Sequence, residues 1–290
     1  MWWRRRRTPE ELYQEARRLD LLGHDERALA LFEQAADAGH GPACNQLGKR
    51  RIRAGATIEG LRWLRRAVDA DVPEAALNLA AVHTRRGQRA KADELRARAE
   101  PGLLAAADAG DPDAAIALRR LYRDRGAADE ADALLVAAQA RARSAGDPET
   151  WCGVGTLLDD AGRTTEAEPW WRRAAEAGHV ESMYLLGSVL QERGDAEAPV
   201  WLRRAAGAGN AHAMGALAQQ AHHRGEEQAG VRWLRKAARA GNAAAMSNLA
   251  AIHRQHGEYE EAARWYRRAS AAGDPHAAQR METLHEETDV

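Results

Sequence analysis

The sequence predicts an all-α solenoid of tandem two-helix repeats. Three observations predict it: glycines return at fixed steps, small and apolar residues keep fixed places between them, and the apolar content rests on Ala with few β-branched residues. The glycines set the register. Take as position zero Gly39, Gly110, Gly146, Gly178, Gly209, Gly241 and Gly273, with Asp71 once in the glycine's place. A second glycine follows 16 residues after each of these but Gly273, at Gly55, Gly87, Gly126, Gly162, Gly194, Gly225 and Gly257. The return step is 16 in most units, 15 in one, and 23 and 20 in the two long ones. Each half suits a helix of about three turns and a tight connection. Glycine provides the left-handed backbone that ends such helices, and Ala is the best helix former.

Helix starts agree with this register. Pro42, Pro73, Pro112, Pro148 and Pro275 follow position zero closely, where a first-turn proline costs no hydrogen bond. Thr8 and Glu11 make a capping-box pattern before the first helix. Inside the first helices, Leu47, Leu79, Leu118, Val154, Leu186, Leu217 and Leu249 stand eight residues after position zero. Small residues stand at the fourth and mostly at the ninth, where Arg119 departs from the pattern. These places share one helical face, which packs on a neighbour. In the second helices, Trp63, Trp170, Trp233 and Trp265 fall eight residues after the second glycine, and Trp201 falls at seven. They are expected as the large core anchors of their units.

The expected organisation is a basic tail over residues 1–7, an array of about eight repeats with a terminal capping helix over 8–285, and a short tail over 286–290. The two long units add nearly two turns and one turn of helix. Glu100-Pro101-Gly102 interrupts the first addition, and a proline inside a helix predicts a break near residue 101.

Composition narrows the function. The formal net charge is -1, without the basic excess of a general nucleic-acid binder. No apolar run approaches the ~20 residues that span a bilayer. The N-terminal Trp-Trp-Arg segment has no apolar stretch behind it and is not a secretory signal. Cys44 and Cys152 lie far apart without metal-ligand spacing, and are expected as buried thiols in a reducing, cytoplasmic compartment. No cofactor is implied.

The segment from Gly241 to Ala269 carries the pattern best, with Leu249, Ala250, Gly257, Tyr259, Ala262, Tyr266 and Ala269 in signature places. It resembles the Sel1-like repeat, a relative of the tetratricopeptide repeat, and the resemblance covers nearly the whole chain. The resemblance implies a right-handed superhelix of antiparallel helix pairs, acting as a scaffold or adaptor without shared catalytic residues. Stacking gives the same expectation physically. A lone unit cannot cover its apolar face, so neighbours cover one another and leave a long concave surface suited to a peptide or partner helix.

Asn45, Gln46, Asn78 and Asn248, six or seven residues after position zero, are the candidate contacts for a protein or peptide. The pairs Arg65-Arg66, Arg172-Arg173, Arg203-Arg204, Arg235-Lys236 and Arg267-Arg268 would align into an outer stripe. This stripe and the N-terminal arginines carry the alternative function, binding nucleic acid or an anionic surface. His83 and His253 share the twelfth position. No metal site is expected, and His222, His253 and His256 are its weak candidates. A hidden hydrolase would need Cys152 near a histidine, which the register argues against by packing that residue inside a helix.

Overall fold

The structure, a computed structural model, describes residues 7–288, with side-chain surroundings through residue 284. The basic tail expected over 1–7, Arg7 excepted, lies outside these residues, as do residues 289–290; the last helix runs on to Thr288, three residues past the boundary expected at 285. Every regular element among the described residues is a helix. In order they are α1 (Pro9–Leu21), α2 (Asp25–Asp37), α3 (Gly41–Arg53), α4 (Thr57–Asp69), α5 (Pro73–Arg85), α6 (Arg89–Ala109), α7 (Pro112–Asp124), α8 (Ala128–Ala145) and α9 (Pro148–Asp160). Then come α10 (Thr164–Glu176), α11 (Val180–Glu192), α12 (Ala198–Gly207), α13 (Ala211–His223), α14 (Glu227–Ala240), α15 (Ala243–Gln255), α16 (Tyr259–Ala271) and α17 (Ala277–Thr288). This is a helical repeat solenoid in class. No described helix is long and apolar enough to cross a membrane.

The glycine register holds at the backbone level. Both glycine series have positive φ, and Asp71, at φ 54°, is the single non-glycine residue to share that conformation among those described. A side chain there costs free energy that glycine avoids. The Asp71 carboxylate does reach Arg98 at 2.7 Å, but both side chains are half or more exposed, where such pairs contribute little. Asp71→Gly is therefore expected to stabilise the protein by about 1 kcal/mol, read as a higher denaturation midpoint.

The chain forms two compact units, one of residues 67–201 and one that joins residues 1–66 with 202–290. Within the first of these, α5 to α11 pack in chain order, each against its neighbour. The long steps appear as long helices, 21 residues in α6 and 18 in α8. The break expected near Pro101 does not occur, because α6 runs through it. The carbonyl left unbonded by Pro101, that of Ala97, belongs to an exposed stretch where water can satisfy it. The next residue, Gly102, lies so close to Pro73 that a Cβ would sit 2.6 Å from its ring.

The tryptophans require a second correction. Trp63, Trp170, Trp233 and Trp265 are half-buried, and the core anchor is in several repeats the residue after them. Leu64, Trp171 and Tyr266 are at most 1% exposed. One residue is about 100° of helix. That step places the second residue in line with the buried alanines Ala67, Ala174 and Ala269, three residues on. The first ring lies at the rim, where a cation covers it. Arg66 stacks on Trp63 at 4.5 Å, Lys236 on Trp233 at 4.5 Å, and Arg268 on Trp265 at 4.9 Å.

The other unit brings the first helices against the α13 to α15 region. The α1–α2 connection lies on the starts of α13 and α15. Leu22 C=O accepts from Ala211 N–H at 2.6 Å, Gly241 C=O accepts from Glu26 N–H at 3.1 Å, and His24 Nδ1 meets Ala240 C=O at 2.6 Å. Asn242 caps α15 by accepting from Ala245 N–H at 2.9 Å, while its amide donates to Gly23 C=O at 3.4 Å. Asn242→Ala is expected to cost about 1–2 kcal/mol, the upper range for a lost cap, since the link to Gly23 is lost with it.

Asp25 accepts from Ala243 N–H at 2.9 Å in the same contact. Burial pushes its carboxyl above the usual range despite that bond and nearby His212 and Arg50. The folded state therefore holds this proton more tightly than the unfolded chain. Its contribution to stability is complete below the unfolded value of about 3.9 and is lost as pH rises through the raised folded value. Asp25→Asn removes the buried charge. Its stability advantage over the native protein is expected at neutral pH and should narrow on acidification; a constant difference would contradict this.

Candidate functional site

The first helices offer the candidate contact surface. On α3, α5, α7, α9, α11, α13 and α15 the small fourth residue and apolar eighth residue are mostly buried, and the seventh is half-buried or exposed. Gln46 and Asn78 are half-buried and Asn248 is exposed. Asn45, one residue earlier, is only 5% exposed and so belongs with the buried face. An exposed amide beside a packed apolar seam can exchange hydrogen bonds with a peptide backbone at little desolvation cost.

The helices that carry these residues are fixed by the residue just after position zero. Asp111, Asp147, Asn210 and Asn242 accept a backbone N–H of the first turn through their side-chain oxygens. His40 and His179 do so through Nδ1, from Ala43 and Ser182. Each of these imidazoles also turns Nε2 toward a glutamate 30 residues earlier, Glu10 at 2.8 Å and Glu149 at 3.1 Å. The sequence signal was an Asp, Asn or His recurring at this place.

The basic pairs are largely engaged with the protein itself. Arg66, Lys236 and Arg268 lie on indoles as described, and Arg173 lies 4.0 Å from the Trp151 ring. Arg172 pairs with Glu168 at 3.1 Å and Glu197 at 2.8 Å. Arg268 also pairs with Glu26 at 2.9 Å. Arg65, Arg203, Arg204, Arg235 and Arg267 are exposed.

His222 and His256 are exposed, and His253 faces the Glu258 carboxylate. The group of metal-type donors that converges among the described residues is a different one: Cys152 on α9 with His179 and Glu181 at the start of α11. Cys152 is packed inside its helix as expected, at 4% exposure. The expectation that this would keep it from a histidine is overturned, because the next repeat delivers His179 from across the helix interface. Burial alone would lower the His179 pKa; the Cys152 sulfur and Glu149 carboxylate outweigh it and raise it to about 10. Capping acts the other way, since Nδ1 accepts the Ser182 N–H only when unprotonated.

A tetratricopeptide repeat family model matches residues 245–278. Search of curated proteins gives no significant match. Among solved structures, a protective antigen of uropathogenic Escherichia coli with an SLR fold is 21% identical over 94% of this chain and 71% of its own, with a TM-score of 0.44. A Sel1 repeat protein from Oxalobacter formigenes is 23% identical over 95% of this chain and 87% of its own, with a TM-score of 0.42.

Proposed function

We propose that the chain is a non-catalytic scaffold that binds a peptide or partner protein along its first helices, since tetratricopeptide-like repeats, of which it carries a matching stretch at 245–278, generally mediate protein–protein interaction. The observation that carries this is the exposed amide of Asn248 beside the buried seam of α15, within the stretch that matches the tetratricopeptide model. Gln46 and Asn78 occupy the same repeat position in α3 and α5. An amide at one repeat position of several first helices suits recognition of a peptide backbone.

Two further features support the reading. Cys152, at 4% exposure, is too buried to meet a substrate as a nucleophile. The cations of the outer stripe are partly consumed by indoles and carboxylates, which weakens the case for nucleic acid. The separate free thiols of Cys44 and Cys152 suit a reducing, cytoplasmic setting.

The test is hydrogen exchange on the full chain with and without its captured partner, followed by Asn248→Arg. New protection is expected on the stretches containing Gln46, Asn78 and Asn248, and the substitution is expected to weaken binding about tenfold. Protection confined to the second-helix arginines, with affinity for nucleic acid that falls steeply with salt, would replace this function by the alternative.

A further inference from the structure

We infer that Cys152, His179 and Glu181 form a binding site for a zinc-class divalent cation that staples two successive repeats. The donors come from separate repeats, Cys152 from α9 and the other two from the start of α11, His179 as its N-cap and Glu181 in its first turn. One ligand atom from each lies within 4.8 Å of the other two. Zinc bonds thiolate, imidazole and carboxylate at about 2.0–2.3 Å, which places neighbouring tetrahedral donors roughly 3.3–3.7 Å apart. Closing the trio onto an ion thus needs movements of about an ångström or less, within the range of side-chain adjustment.

The donor set selects the class of ion. A thiolate with an imidazole suits zinc and its borderline-soft neighbours, and is poorly matched to magnesium or calcium, which take oxygen donors. Glu149, whose carboxylate is 3.1 Å from His179 Nε2, can fill the fourth position or leave it to water. Ligation through Nε2 releases that nitrogen's proton to solvent and leaves a proton on Nδ1, so the ring gives up the Ser182 N–H it accepts as a cap. Ser182 Oγ, 2.9 Å from Nδ1, is placed to accept the Nδ1 N–H and hold the ring. Cys152 gives up its S–H proton to solvent as the metal binds.

The array contains its own control. His40 caps α3 as His179 caps α11 and meets Glu10 as His179 meets Glu149. Yet the nearby Cys44 faces Ala36 C=O, and no converging trio forms there. What distinguishes the His179 site is the thiol and Glu181 brought to the same point.

The experiment titrates reduced, metal-free full-length protein with Co²⁺, reads the thiolate-to-cobalt charge-transfer band, and displaces the ion with Zn²⁺. One cobalt per chain at micromolar concentration is expected, with an increase in Tm on loading. Cys152→Ser should abolish the band and Cys44→Ser should retain it. His179→Asn keeps the cap, as Asn210 and Asn242 do in their repeats, so helicity should hold while affinity falls at least about tenfold. No band in the native protein, or a band of equal affinity in Cys152→Ser or in a normally helical His179→Asn, would overturn the site.

Discussion

Asp160→Ala is expected to destabilise the protein by about 3–5 kcal/mol, the cost of leaving a buried charge without its partner. Arg119 is 5% exposed at a repeat position that is small in every other unit but the last, where Glu282 stands. Its guanidinium, on α7, reaches the Asp160 carboxylate at the end of α9 at 3.4 Å, and the same carboxylate pairs with Arg120. Asp160 is itself mostly buried, so water screens the pair poorly. The carboxylate therefore neutralises two cations and ties two first helices of one unit together. Replacing Arg119 and Asp160 together by Met and Leu should cost much less than Asp160→Ala, because no unpaired charge then remains. Urea denaturation followed by circular dichroism measures both; a loss below about 1 kcal/mol for Asp160→Ala would show that water reaches the pair.

Trp171→Ala is expected to cost about 3–5 kcal/mol, as for other fully buried aromatics. Trp171 is 1% exposed. Its indole nitrogen lies where a Cβ on Gly155 would come within 2.5 Å, so α9 and α10 meet at glycine against ring. Trp170→Ala, at the half-buried rim, should cost distinctly less. This adjacent pair separates the two phases of the second helix. If Trp170 were the core anchor, as the spacing of the tryptophans alone suggests, the order of the two losses would reverse.

That reversal shows where sequence patterning stops being informative. The glycine register was legible because left-handed backbone is a local demand of each turn, and Asp71 could be placed in the series before its φ was known. Spacing also located the small and apolar places of the first helices. It could not decide which of two adjacent large residues faces inward when a tryptophan stands beside a leucine, a tyrosine or another tryptophan. Hydrophobicity favours the tryptophan, but a cation three residues later can shield its ring at the rim.

Pro101 misled for a related reason. Its local cost is real, but tertiary contact on both sides of it holds α6 together, with Ala99 and Leu103 fully buried. The candidate contacts were legible as repeat positions, although Asn45 fell on the buried side of its helix. The meeting of Cys152 with His179 was not legible. It depends on how α10 brings α9 and the start of α11 together, which no spacing within either helix records.

The central claim is that the first helices present the partner-binding surface. It is tested most directly by placing a photo-cross-linking residue at position 248 and, separately, at position 235, then irradiating intact cells. Both positions are exposed, one on a first helix and one on a second. A discrete protein adduct at 248 with none at 235 is the predicted result. Adducts at 235 alone, or adducts to nucleic acid, would contradict it.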